Sequence, residues 1–235
     1  MARAFDQLKG MIEIVARALG DELLGEVAFV GVCTTGLLVT DEVTQESIRF
    51  TDDVDLIISV VGYTGWAAFQ EKLKSKGFSV HIDDEVICRM RLGELKVDFM
   101  PDDKEILGFS NRWYQQALEQ AQDYQLSDDL IIRLLTPPYF VATKLEAYKG
   151  RGNGDLLASH DMEDILNIVD GRPELIDEIK NADQDVCIYI AEEIGALLEH
   201  DMIDYAIQGV VFGDTGRVDI VFERLEAIKD LKGSV

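Results

Sequence analysis

Arg49-Phe50-Thr51-Asp52-Asp53-Val54-Asp55-Leu56-Ile57-Ile58 passes from a charged start into an apolar run that continues to Val61. The run from Val54 to Val61 (VDLIISVV) is dense in β-branched residues and long enough only for a strand. On a strand, residues i and i+2 share a face, so Asp53 and Asp55 project together while Val54 turns into the sheet. The pair stands at the start of the strand, at the rim of its sheet. A third acid, Asp98, interrupts a second apolar strand, Leu95-Lys96-Val97-Asp98-Phe99-Met100. Aspartate is depleted from strand interiors, so each of the three asks for a physical reason.

One reason is convergence on a cation. Two carboxylates about 5 Å apart at an effective dielectric of about 20 repel by ~3 kcal/mol. Three together need protons or divalent ions to neutralise them. Oxygen-only ligands favour Mg²⁺ or Mn²⁺, and two such ions can clamp the attacking and leaving oxygens of phosphoryl transfer. The plainer alternative makes Asp52 and Asp53 a turn, leaves Asp55 solvated, and pairs Asp98 with Arg89 or Lys96. A bare Asp-x-Asp also occurs in metal-dependent glycosyltransferases, although their catalytic domain usually needs a larger sheet than residues 25–135 can supply. The spacing alone leaves these readings open.

Upstream, Val27-Ala28-Phe29-Val30-Gly31-Val32-Cys33-Thr34-Thr35-Gly36-Leu37-Leu38 reads as strand, tight turn and helix. A helix start after a glycine turn offers free N–H groups to a phosphate. Downstream, Ala67 to Lys76 reads as a helix closed by Gly77, and Val86–Met90 with Leu95–Met100 as a hairpin turning at Gly93-Glu94. WYQQALEQAQ (113–122) fits helix or strand, and LIIRLL (130–135) reads as a strand. From Thr136 the pattern is helical. Thr136-Pro137-Pro138 opens a helix that runs to about Lys149 and stops in the loop Gly150 to Gly154. Ser159 caps a second helix ending at Asp170-Gly171, Pro173 starts a third, and further helices cover about 184–199, 201–208 and 215–230. The expected organisation is α/β (α+β): a mixed-sheet domain over residues 1–136, then an α-helical domain over 137–235.

Composition narrows the function classes. The 235 residues include 45 acidic and 22 basic side chains, a formal charge of -23, with 47 % apolar and 29 % charged residues. That is a globular balance. No apolar run approaches the ~20 residues of a membrane helix, so no membrane partner is expected. Glu13, Arg17, Asp21 and Glu22 exclude a signal-peptide core from the first 25 residues. Cys33, Cys88 and Cys187 are odd in number and widely spaced, which fits reduced thiols in a cytoplasm and gives no zinc pattern. The acidity argues against a broad nucleic-acid face but leaves room for a local basic patch.

The order of glycine turn, short helix, Asp-x-Asp and later Asp resembles the polymerase-β-like nucleotidyltransferase superfamily. Within it the chain is similar to AbiEii-type nucleotidyltransferases, many of them toxins of toxin–antitoxin or phage-defence systems. The resemblance covers residues 25–170. It rests on Gly31, Thr51-Asp52-Asp53-Val54-Asp55, Asp98, the segment ATKLEAYK (142–149) with Arg151, and Ser159-His160-Asp161-Met162-Glu163-Asp164. It implies transfer of an NMP from an NTP to an acceptor hydroxyl, with Mg²⁺ or Mn²⁺ on Asp53, Asp55 and Asp98. It also implies nucleotide contacts from Gly31, Lys144, Lys149 and Arg151, and a functional Asp161 with Asp164 as the other candidate. Toxin-like relatives imply a tRNA or protein acceptor and an antitoxin partner. The chain departs from the pattern at Val32, where Gly or Ser is usual. Thr34 or Thr35 is then the candidate source of a hydroxyl. The departure bears on triphosphate contact more than on the metal, and it admits an alternative: a non-catalytic nucleotide-binding or regulatory module on the same fold.

Other polar residues have plainer readings. Lys144 and Lys149 diverge by about 140° around a helix, and Lys149 with Arg151 complements a helix C-terminus. Lys144, amid Val141, Ala142 and Leu145, either snorkels or reaches a phosphate. Asp161 and Asp164 fall in a first helical turn, where acids are favoured anyway. Ser159-His160-Asp161 cannot form a triad, since consecutive helical residues face different ways. His81, His160 and His200 are too scattered for a metal. Trp66, and Trp113 beside Arg112, read as packing, and Cys33 as a buried, inert thiol.

Overall fold

A computed structural model describes residues 4–84, 86–107, 111–151 and 154–233. It divides into two compact units: Met1–Gly36 with Arg49–Thr136, and Leu37–Ile48 with Pro137–Val235. The first unit holds a six-stranded mixed sheet, so the molecule is mixed α/β among the described residues.

In chain order the first unit begins with α1 (Ala4–Leu24) and β1 (Val27–Val30), which leads into α2 (Val32–Leu38). A short α3 (Glu42–Ser47) belongs to the second unit. The first unit resumes with β2 (Asp53–Ile58), α4 (Gly62–Ser75), β3 (Arg89–Leu92), β4 (Leu95–Pro101), α5 (Lys104–Leu107), α6 (Tyr114–Glu119), β5 (Gln122–Ser127) and β6 (Leu130–Leu134). The sheet order is β3-β4-β2-β1-β6-β5. β2 lies parallel to β4 and antiparallel to β1, and β1 is parallel to β6. Helix α1 packs on β1, β2 and β6; it buries Leu8, Ile12, Val15 and Leu19 at helical spacing, breaks at Gly20, and buries Leu23 beyond the break.

The expected strands at 27–30 and 54–61 are β1 and β2, the second ending earlier, at Ile58. The hairpin turns at Gly93-Glu94 as its spacing suggests, though its first strand begins only at Arg89. The ambiguous segment at 113–122 is mostly the helix α6. It is followed by β5, a polar edge strand held by its pairing with β6. Trp66 and Trp113 are buried packing residues.

The second unit adds α7 (Pro137–Arg151), α8 (His160–Gly171), α9 (Leu175–Lys180), α10 (Gln184–Leu198), α11 (Ile203–Val210) and α12 (Thr215–Asp230). Helix α7 runs on to Arg151, past the expected stop at Lys149, and Gly152 and Asn153 of the expected loop lie outside the described residues. Ser159 caps α8 by accepting from the Met162 N–H at 3.3 Å. Leu175 starts α9, two residues beyond Pro173.

Residues 37–48 pack with this unit rather than with the sheet that a cut at residue 136 assigns them to. The Gly171 carbonyl accepts from the Thr40 and Asp41 N–H groups, both at 2.9 Å. Arg172 donates to the Leu38 carbonyl at 2.5 Å. Arg217 of α12 donates to Asp170 at 2.6 Å, to Asp41 at 3.0 Å, and to the Thr44 hydroxyl. Thr44 in turn donates to Asp170 at 2.7 Å. Buried charged groups are retained where their hydrogen bonds are met, and this cluster ties α3 to α8 and α12.

Candidate metal centre

The strand register builds the site. Asp55 faces Asp98 across the parallel β2–β4 pair and Val30 across the antiparallel β1–β2 pair. Asp53 shares its face two residues earlier. Asp53, Asp55 and Asp98 each bring one carboxylate oxygen to a common region, with those atoms within 4.8 Å of one another. Val54 and Leu56, on the other face, are fully buried. The alternation thus turns one side of β2 into the core, while the other side carries the acids at the strand's start and then the buried Ile57.

Gly31 makes this approach possible. It ends β1 with φ +80°, and a Cβ built there lies 1.9 Å from Asp55 Oδ2. The position requires glycine twice, for its left-handed backbone and for the space taken by the carboxylate. Gly31→Ala is expected to cost about 2–4 kcal/mol, the sum of left-handed strain and overpacking. Urea unfolding measures the loss, and an unchanged midpoint contradicts the packing described.

The acids have partners within the first unit. Thr51 donates its hydroxyl to Asp53. Arg89 donates to both oxygens of Asp98, at 2.7 and 2.8 Å, and reaches Asp53 at 3.3 Å. Asp98 holds the Arg89 guanidinium still more firmly protonated than usual, against the opposing effect of burial. Lys96 pairs with Asp52 at 2.8 Å and pulls that carboxyl below its ordinary range. Both sequence readings of Asp98 therefore meet in one place: it converges with Asp53 and Asp55, and it pairs with Arg89. Cys88, beside this cluster, is pushed up to about 12 by burial and by the charges of Asp98 and Asp55, so its thiol stays protonated at neutral pH.

Of the two partners that the sequence offers Asp98, Arg89 and Lys96, the structure selects Arg89. Its signal lies in the two-residue turn. Leu92 pairs with Leu95 around Gly93-Glu94, and counting back places Arg89 opposite Asp98.

The residues expected to contact nucleotide fall in varied surroundings. Thr34 is fully buried and donates its hydroxyl to the Gly31 carbonyl at 2.8 Å. Thr35 is also fully buried, and its hydroxyl has no hydrogen-bond partner among the described residues. Neither hydroxyl reaches the surface of the glycine turn. Cys33 is buried, as expected. In the second unit, the buried Lys144 bonds Asp164 at 2.6 Å and Asp161 at 3.2 Å. Arg151 grips both oxygens of Asp161 at 2.9 and 2.8 Å. Burial pushes the Asp161 carboxyl up, but Arg151 and Lys144 outweigh it, leaving the group below the usual range. Lys149 pairs with Glu193 at 2.6 Å and lies 5.5 Å from the centre of the Tyr189 ring.

No protein-family model matches the chain, and no curated protein matches its sequence. Among the described residues, no helix is long and apolar enough to cross a membrane.

Proposed function

We propose that the first unit is a divalent-metal-dependent nucleotidyltransferase domain of the polymerase-β-like kind, similar in its motif order to the AbiEii-type enzymes. The observation that carries the reading is the meeting of Asp53, Asp55 and Asp98 beside the Gly31 turn. The donors are all carboxylate oxygens, which suits Mg²⁺ or Mn²⁺ and gives no soft ligand for zinc or copper. Bound there, a divalent ion neutralises triphosphate charge and makes the acceptor hydroxyl easier to deprotonate.

The chain's own groups supply the rest. Asp53 and Asp55 are aimed by strand alternation, and Thr51 restrains Asp53. Gly31 lets the backbone come close without a side chain in the way. The acceptor oxygen bonds to the α-phosphorus, the bond to the β-phosphate bridge breaks, and pyrophosphate leaves with that electron pair. The hydroxyl proton passes to a carboxylate or to solvent. Both Asp98 oxygens accept from Arg89, so Asp98 serves as that proton acceptor only if the guanidinium moves.

The acceptors in this proposal are tRNA or a protein hydroxyl, and an antitoxin is the proposed partner. The alternative, a nucleotide-binding module without turnover, is favoured by the buried Thr34 and Thr35 hydroxyls, which leave the turn without the hydroxyl usual at its second position. Pyrophosphate release from each NTP with Mg²⁺, over a panel of tRNA and protein acceptors, separates the two. Release that stops on chelation supports the enzyme. Calorimetric binding of NTP with no release for any acceptor supports the module.

A further inference from the structure

Arg89 occupies the place where a metal ion would have to compete. Its fork takes both oxygens of Asp98, and the same Nη2 nitrogen reaches Asp53. These are two of the three carboxylates in the candidate metal set. The side chain is 16 % exposed, so the pairing is largely shielded from water and weakly screened. The antiparallel register holds Arg89 opposite Asp98, which makes the contact a product of the hairpin rather than of a chance rotamer. A bidentate guanidinium–carboxylate pair is among the stronger charge-assisted contacts.

We infer that Arg89 is a resident counter-cation of this centre, held on Asp98 and Asp53, and that it weakens the centre's hold on a divalent ion. The inference rests on the metal reading above. The guanidinium offsets one of the three carboxylate charges, so an arriving divalent ion meets a less negative centre than the bare trio presents. An arriving ion meets Arg89 as a like charge at close range. Arg89 therefore releases Asp53, where its contact is longest, and keeps its fork on Asp98. Without the ion, the same contact holds the acids together against their repulsion.

Mn²⁺ binding, followed by electron paramagnetic resonance of the free ion, tests this on the intact chain. Arg89→Gln is expected to bind Mn²⁺ at least ~10-fold more tightly than the parent, since a nearby positive charge is removed. Its unfolding temperature without metal falls, and its Mn²⁺-induced rise exceeds the parent's. Arg89→Lys keeps the charge but not the fork, and is expected to lie between the two. It carries the test if the glutamine variant does not fold. Asp55→Asn added to either variant abolishes the gain.

Binding by the parent that is equal in, or weakened by, both arginine substitutions overturns the inference while leaving the metal centre standing. A gain that survives Asp55→Asn places the ion elsewhere and also overturns it. No Mn²⁺ binding by any of the proteins removes the metal reading itself, and this inference with it.

Discussion

Asp55→Asn is expected to lower Mg²⁺-dependent pyrophosphate release by at least about 10³-fold, because each ~1.4 kcal/mol of lost transition-state stabilisation is a factor of ten and a metal centre supplies several kcal/mol. Asp55 faces Asp98 on one side and Val30 on the other, with its carboxylate against Gly31. Asparagine keeps its shape and removes its charge. The loss should therefore not come from misfolding. The pair of measurements is pyrophosphate release and thermal unfolding without metal. A variant that is inactive because it is unfolded contradicts the account, as does one that is stable and fully active.

Lys144→Met is expected to cost about 3–5 kcal/mol of stability, the usual result of removing one member of a buried ion pair and leaving its partner charged. Lys144 is the cation that bonds Asp164, which is fully buried, and it shares Asp161 with Arg151. Restoring neutrality with Asp164→Asn in the same chain should recover much of the loss. Urea midpoints of the single and double variants measure both effects.

The pH dependence has a definite sign. The folded-state pKa of Asp161 lies below its ordinary value. Its stabilisation is fully present above the unfolded value of about 3.9 and is lost as pH falls through the folded one. Lys144→Met removes one of the cations that depress this group, so the acid loss should begin at a higher pH than in the parent. An unchanged acid transition and an unchanged urea midpoint together argue against a supporting role for Lys144 in the helical unit.

The aspartates were legible because they break a pattern. Asp55 and Asp98 interrupt apolar strands, and the i, i+2 spacing of Asp53 and Asp55 states a shared face once a strand is assumed. The helices from residue 137 onward carry caps and breakers that mark them locally: Pro137, Ser159, and the Asp170-Gly171 stop. Arg89 is legible only as one of two candidate partners of Asp98, beside Lys96, and the hairpin register decides between them. The first helix is also legible locally, since Leu8, Ile12, Val15 and Leu19 follow a helical period up to the break at Gly20.

The grouping of residues 37–48 with the helical unit was not legible at all. It depends on Arg217 meeting Asp41 and Asp170, partners far apart along the chain, and no local signal predicts such a meeting. Lys144 shows the same limit from the other side. Its apolar neighbours announced an unusual environment, but snorkelling and phosphate contact fitted the sequence equally well. Only the positions of Asp161 and Asp164 on the neighbouring helix show what it holds.

The most direct test of the central claim is anomalous X-ray scattering from crystals of the full chain grown with Mn²⁺. The account predicts a manganese peak within bonding distance of carboxylate oxygens from Asp53, Asp55 and Asp98, with Arg89 withdrawn from Asp53. A map with no manganese at these residues at saturating Mn²⁺, and Arg89 still spanning Asp98 and Asp53, contradicts it.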